Sequence, residues 1–121
     1  MANAKQSSTN QFNKKLVTTN CPVTFITNKM GNRWKPLVIR QLFLGTKRYG
    51  ELRRAIPAIT EKMLFQTLKE LELDGIINRI AMPVVPPHVE YSLTDCGKDL
   101  EPVINEMVKW SLKYNIECTQ L

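Results

Sequence analysis

Histidine is the scarcest reactive side chain here: His88 stands alone among 121 residues, with only three cysteines and five glycines beside it. One imidazole next to a proline pair leaves no zinc site of the usual kind and no base to activate a serine or cysteine nucleophile. The cysteines, Cys21, Cys96 and Cys118, have no CxxC spacing, and an odd number cannot all pair within one chain. There is no glycine-rich phosphate loop and no nucleophile elbow. Long apolar runs are missing too. Stretches such as 36–39 and 76–77 fall far short of the roughly 18 residues that span a bilayer, and residues 1–20 lack the apolar segment of a secretory signal. These absences exclude the common enzyme motifs. They lead us to expect a cytoplasmic protein with no metal, no cofactor and no membrane partner.

Acidic residues are scarce in one half only. Residues 1–54 carry eleven Lys/Arg against a single acid, Glu51, whereas residues 55–121 carry six against ten. A basic half on a folded domain suits a phosphate-bearing partner, although a solvated basic face accounts for the same charge. What the chain does have is a core: 43% of its residues are apolar. At this length that supports one domain burying roughly two-thirds of its surface, too small for a deep enclosed active site as well.

Residues 1–20, rich in Asn, Ser, Thr, Gln and Lys, read as a flexible arm, and residues 21–121 as the folded domain. Pro22 holds Cys21 extended, so helix should start behind it, over 23–30. Asn32 is then expected to cap a helix over 34–44, apolar nearly all round except for a strip of Lys35, Arg40 and Gln41. A short helix with Tyr49, Leu52 and Ile56 on one side follows, closed by Pro57. The clearest helix spans 60–74, with Thr60 as cap, Glu61 at its positive end and Gly75 as its stop. Residues 76–82 and 89–93 read as a two-stranded hairpin around a proline-rich tip. Thr94 then starts one long helix towards Tyr114, with a kink expected between 98 and 102 because Pro102 lacks an amide proton.

That order, mainly α with a β-hairpin, is what a winged helix-turn-helix requires. In the 60–74 helix, Leu64, Leu68 and Leu71 share an inward face, while Lys62, Phe65, Gln66, Lys69 and Leu73 point away. Lys reaches guanine acceptors or phosphate, Gln pairs with an adenine edge and Phe touches a thymine methyl. Thr60, Lys62, Phe65, Gln66 and Lys69 are therefore base-reading candidates. Lys47, Arg48, Tyr49, Arg53 and Arg54 around the short helix are phosphate-positioning candidates. An ordinary amphipathic helix with a solvated outer face is the plainer account. Glu70, Glu72 and Asp74 read as surface charge and make the helix acidic on balance.

The runs Trp34-Lys35-Pro36-Leu37-Val38-Ile39-Arg40, Tyr49-Gly50-Glu51-Leu52-Arg53-Arg54-Ala55-Ile56, Ile59-Thr60-Glu61-Lys62-Met63-Leu64 and Val85-Pro86-Pro87-His88-Val89-Glu90-Tyr91-Ser92-Leu93-Thr94 carry a resemblance. The chain resembles the HxlR-type winged helix-turn-helix transcription regulators over residues 21–114. The resemblance implies a homodimer, built by the first and last helices, on a pseudo-palindromic stretch of double-stranded DNA. Dimer candidates are Trp34, Val103, Ile104, Met107, Trp110 and Tyr114. It also implies a wing, with Arg79, Pro86, Pro87 and His88, near the minor groove. His88 stands where the family more often has Arg or Lys, and a neutral imidazole attracts the minor groove less.

Cys21-Pro22 resembles the N-terminal cysteine of redox-responsive members, which implies a thiol or electrophile sensor. Lys29 and Arg33 are the nearby cations that would favour its thiolate, and a buried, inert side chain is the alternative. Cys96, beside Asp95, is expected to pack. The competing function is a dimeric small-molecule- or protein-binding module that keeps the fold without strong DNA binding.

Overall fold

The computed structural model describes residues 21–115; the expected N-terminal arm and Cys118 lie outside them. Helix α1, Pro22–Met30, belongs to a unit of its own, and the elements from residue 33 onward make a second unit. Pro22 sits in the first turn of α1, where its missing amide proton costs nothing.

The second unit begins with α2, Trp34–Phe43. Asn32 does not cap it. That position belongs to Arg33, and Asn32 takes a positive φ of 99°, a conformation Asn tolerates better than most residues. Val38, Ile39 and Leu42 are buried, but Leu37 and Leu44 are exposed, so α2 is apolar all round without being enclosed all round. Lys35, expected in the polar strip, is buried instead at 6% exposure.

Strand β1, Lys47–Arg48, leads into the short helix α3, Tyr49–Ala55, whose Leu52 reaches the core. Two residues are too few to leave a strand signature, so the sheet has three strands where two were expected. Helix α4, Glu61–Leu73, follows. The Thr60 hydroxyl accepts the Met63 amide proton at 3.2 Å and starts the helix. Gly75, at φ 73°, stops it, with the Gly75 and Ile76 amides donating back to Glu72 and Leu71. Leu64, Thr67, Leu68 and Leu71 form its buried face.

Strands β2, Ile77–Met82, and β3, His88–Leu93, pair antiparallel from Ile77 opposite Leu93 to Met82 opposite His88. Strand β1 adds to the other side of β3, with Lys47 opposite Tyr91, giving the order β1-β3-β2. Thr94 closes this end: its hydroxyl donates to the Gly75 carbonyl at 2.6 Å and accepts the Gly97 amide proton at 3.1 Å. Gly97 packs so tightly that a Cβ there would lie 2.3 Å from the Ile76 carbonyl oxygen.

The last segment is two helices, not one kinked helix. They are α5, Asp95–Lys98, and α6, Glu101–Tyr114, with Pro102 in the first turn of α6. A break before proline lets the ring begin a new helix, which costs less than losing a bond inside an old one. Helix α6 lies against α2 and contributes Ile104 to the core. Among the described residues, no helix is long and apolar enough to cross a membrane.

Candidate nucleic-acid interface

Helix α4 turns its outer face to solvent. Lys62, Phe65, Gln66 and Lys69 fall at spacings of three and four, and all are exposed. Thr60 is exposed as well, but its oxygen is engaged in accepting the Met63 amide proton at the cap. Phe65 is held in place: its ring stacks on Tyr49 with centroids 4.6 Å apart and planes 23° from parallel. Tyr49 therefore supports α4 from behind. Its hydroxyl is buried with no hydrogen-bond partner among the described residues, so it does not join the phosphate candidates on the surface.

Around α3, Arg48 and Arg54 are exposed while Lys47 and Arg53 are half-buried. The Arg48 amide donates to Glu51 Oε1 at 2.8 Å, which anchors the start of α3 and holds the Glu51 carboxyl below its usual range. Arg53 Nη1 lies 3.6 Å from Glu61 Oε2 and links α3 to the start of α4. Both partners keep much of their solvent, so the pair contributes under about 1 kcal/mol and leaves the guanidinium available.

Arg79, expected in the wing, stands on β2 beside α4. With Phe65, Gln66, Lys69, Glu72 and Tyr91 it lines an open groove of about 500 Å³ between helix and sheet. The wing tip itself is apolar: Val85 is 98% exposed, and Pro86 and Pro87 are exposed. His88 does not project from it. Its Nε2 lies 2.9 Å from Glu90 Oε2, and the ring is half-buried against β3.

One further feature was not legible in advance. Glu70, read as surface charge, accepts from Lys35 Nζ at 2.9 Å through Oε1 and from Gln66 Nε2 at 3.1 Å through Oε2. These bonds hold its carboxyl below the usual range, Lys35 contributing most. No local pattern marks this contact, because Lys35 lies on a different helix.

Of the dimer candidates, Ile104 is enclosed in the subunit's own core, while Val103, Met107, Trp110 and Tyr114 form an exposed stripe along α6. Trp110 and Tyr114 touch, with centroids 5.2 Å apart. Trp34 is half-buried beneath the Arg33 guanidinium, 4.9 Å from its ring centroid.

Cys21 is half-buried at the start of α1. Its thiol is held below the ordinary value by hydrogen bonds, first from the Thr24 backbone, then from the Thr24 side chain and the Val23 backbone. The expected cations are not the cause: Lys29 lies over the Phe25 ring at 5.2 Å and Arg33 over Trp34. Cys96 is exposed, contrary to the expected packing role, because α5 turns it away from the buried Gly97. Among the described residues, no cluster of three His, Cys, Asp or Glu is placed to hold a metal ion.

A short helix, an exposed-faced helix and an antiparallel hairpin in this order make a winged helix-turn-helix. The profile of the HxlR-like helix-turn-helix family matches residues 29–118, and the chain belongs to that family. The HTH-type transcriptional regulator YybR of Bacillus subtilis is 46% identical over 90 residues, covering 74% of this chain and 72% of YybR. Among solved structures, the redox regulator HypR in its oxidised form superposes with a TM-score of 0.74 at 43% identity, covering 78% of this chain and 98% of HypR. Reduced YodB, a transcriptional regulator from B. subtilis, gives a TM-score of 0.71 at 38% identity, covering 78% and 94%. The chain is thus a transcriptional regulator of the HTH type.

Proposed function

We propose that this regulator binds a pseudo-palindromic stretch of double-stranded DNA as a homodimer, residues 21–121 forming the DNA-binding and dimerisation domain. In this reading α4 enters the major groove. Lys62, Phe65, Gln66 and Lys69 meet base edges, while Lys47, Arg48, Arg53 and Arg54 hold phosphates. The observation that carries it is the outward row on α4, exposed and bordered by cations on α3 and by Arg79 on β2. The α6 stripe is the surface offered to the second subunit, and a two-fold axis would set the two α4 helices about 34 Å apart.

Gel-shift titration at two salt concentrations tests this. A DNA binder loses affinity steeply with salt and favours its own site over random DNA. Lys62→Ala with Gln66→Ala should weaken specific binding more than non-specific binding, whereas Arg53→Ala should weaken both and flatten the salt slope. Parental affinity in all of these variants would reject the surface assignment. A dimer with no salt-dependent DNA affinity would favour a small-molecule- or protein-binding module instead.

A finer part of the proposal is that Cys21 responds to oxidants or electrophiles. The lowered, half-exposed thiol supports it, as does the likeness to HypR, a redox regulator. DNA affinity before and after mild oxidation, in the parent and in Cys21→Ser, decides it. A response that persists in the serine variant would reject Cys21 as the sensor.

A further inference from the structure

Gln66 lies on the outer face of α4, yet it is tied to the interior. Its amide nitrogen donates to Glu70 Oε2 at 3.1 Å, and Glu70 Oε1 accepts from Lys35 Nζ at 2.9 Å. The Lys35 side chain is only 8% exposed, whereas that of Glu70 keeps 38%. The chain therefore runs from a cation embedded in α2, through a carboxylate at the surface, to an amide in the proposed base-reading row.

A glutamine on an open helix face samples many rotamers, and its two amide ends are close to interchangeable in shape. Glu70 removes that ambiguity. An ionised carboxylate only accepts, so the amide must turn its NH2 end towards Glu70 and its Oε1 away. Glu70 would be mobile itself if Lys35 did not hold its other oxygen. Like any carboxyl at or below the ordinary range, Glu70 is ionised at neutral pH and so able to do this.

From this geometry, and on the reading that α4 contacts bases, we infer that Lys35 and Glu70 are positioning residues for base recognition, fixing the Gln66 amide so that it reads adenine. The outward oxygen accepts from the adenine amino group, and the second Nε2 proton remains for adenine N7, the acceptor–donor pair that adenine presents in the major groove. Lys35 touches no DNA in this arrangement. Its loss frees both Gln66 and Glu70, and a free carboxylate next to the groove accepts from the cytosine amino group instead.

The test compares the full-length parent with K35M, Q66A and the double variant, and uses K35R as the conservative replacement. Methionine fills the space of the lysine stem, and Glu70 has the solvent to hydrate its freed charge, so K35M should fold. Enrichment from a random double-stranded DNA library gives each protein's base preference. The parent should favour adenine at one position per half-site by roughly 5- to 150-fold, the range for one bidentate contact.

Q66A should lose that preference, and K35M should lose at least fivefold of it, with cytosine gaining. The double variant should be no worse than Q66A, and K35R should recover part of the preference. A folded K35M with parental preference, or one weakened equally at every position, would overturn the inference. If the parent enriches no sequence, it is the DNA-reading proposal that fails. The link is then judged by NMR of the Gln66 side-chain amide in free protein. Slowed hydrogen exchange in the parent that is lost in K35M supports it, and identical exchange in the two rejects it.

Discussion

Helices α4 and α6 are both amphipathic and of similar length, but they divide their faces in opposite ways. Helix α4 buries Leu64, Thr67, Leu68 and Leu71 and shows solvent mostly Lys, Gln and Glu, with Phe65 braced by Tyr49. Helix α6 buries Ile104 alone and shows solvent Val103, Met107, Trp110 and Tyr114. The inward face of α4 completes its burial within the subunit, leaving Phe65 and Leu73 exposed, whereas α6 leaves a whole stripe of apolar side chains exposed. An outer face of polar groups suits a hydrated, charged partner, whereas an apolar stripe on a helix suits a second protein surface. The two halves of the proposed function thus rest on different kinds of surface.

The largest effect should come from attacking the completed face. Leu68, 2% exposed, packs beneath α4, and Leu68→Ala should cost about 2–5 kcal/mol in a denaturant titration. A loss near zero would mean that α4 is not seated as described. Next comes the unfinished face. Trp110→Ala should barely change subunit stability but should weaken self-association about 30-fold or more, as for a buried tryptophan anchor, read by sedimentation at graded concentrations. An unchanged association constant would break the contrast between the helices.

The Lys35–Glu70 pair lies between these extremes. Glu70→Gln leaves a buried ammonium without its carboxylate and should cost about 1–3 kcal/mol, below the fully buried range because Glu70 retains solvent. Its pH signature has a definite sign. The folded-state pKa of Glu70 is depressed, so its contribution is present above the unfolded value of about 4.3 and is lost as pH falls through the lower folded value. Glu70→Gln should therefore flatten the acid limb of a stability profile, and an unaltered limb would deny the coupling. The smallest effect is expected at Lys62. Lys62→Ala should change stability by less than about 0.5 kcal/mol while relaxing the base preference at one position of the half-site. A large stability loss there would show that the outer face of α4 is not a free surface.

Much of the architecture was legible because its signals are local. Thr60 and Gly75 delimit α4 within a residue or two of the expected bounds, and the leucine spacing separates its two faces. The errors were local signals overruled by context. Asn32 has the chemistry of a cap, but the backbone turns through it. Pro102 was expected to kink a helix and instead opens one. His88 was expected at a projecting tip, yet Glu90, two residues on along the same strand, draws it back. The cations expected to favour the Cys21 thiolate stand over aromatic rings, and Thr24 supplies that role from within the first turn of α1.

By itself the sequence determined the bounds of α4 and the β2–β3 hairpin, which face of α4 is inward, and the uneven charge, since each depends on neighbours within a few positions. Only the tertiary structure decided that Lys35 is buried on Glu70, that Tyr49 braces Phe65, that two residues at 47 and 48 extend the sheet, and that Arg79 faces α4. These pairings join residues distant in the chain. An ammonium enters an apolar interior only where a carboxylate from another helix is held in reach, and a two-residue strand exists only where a partner edge accepts it.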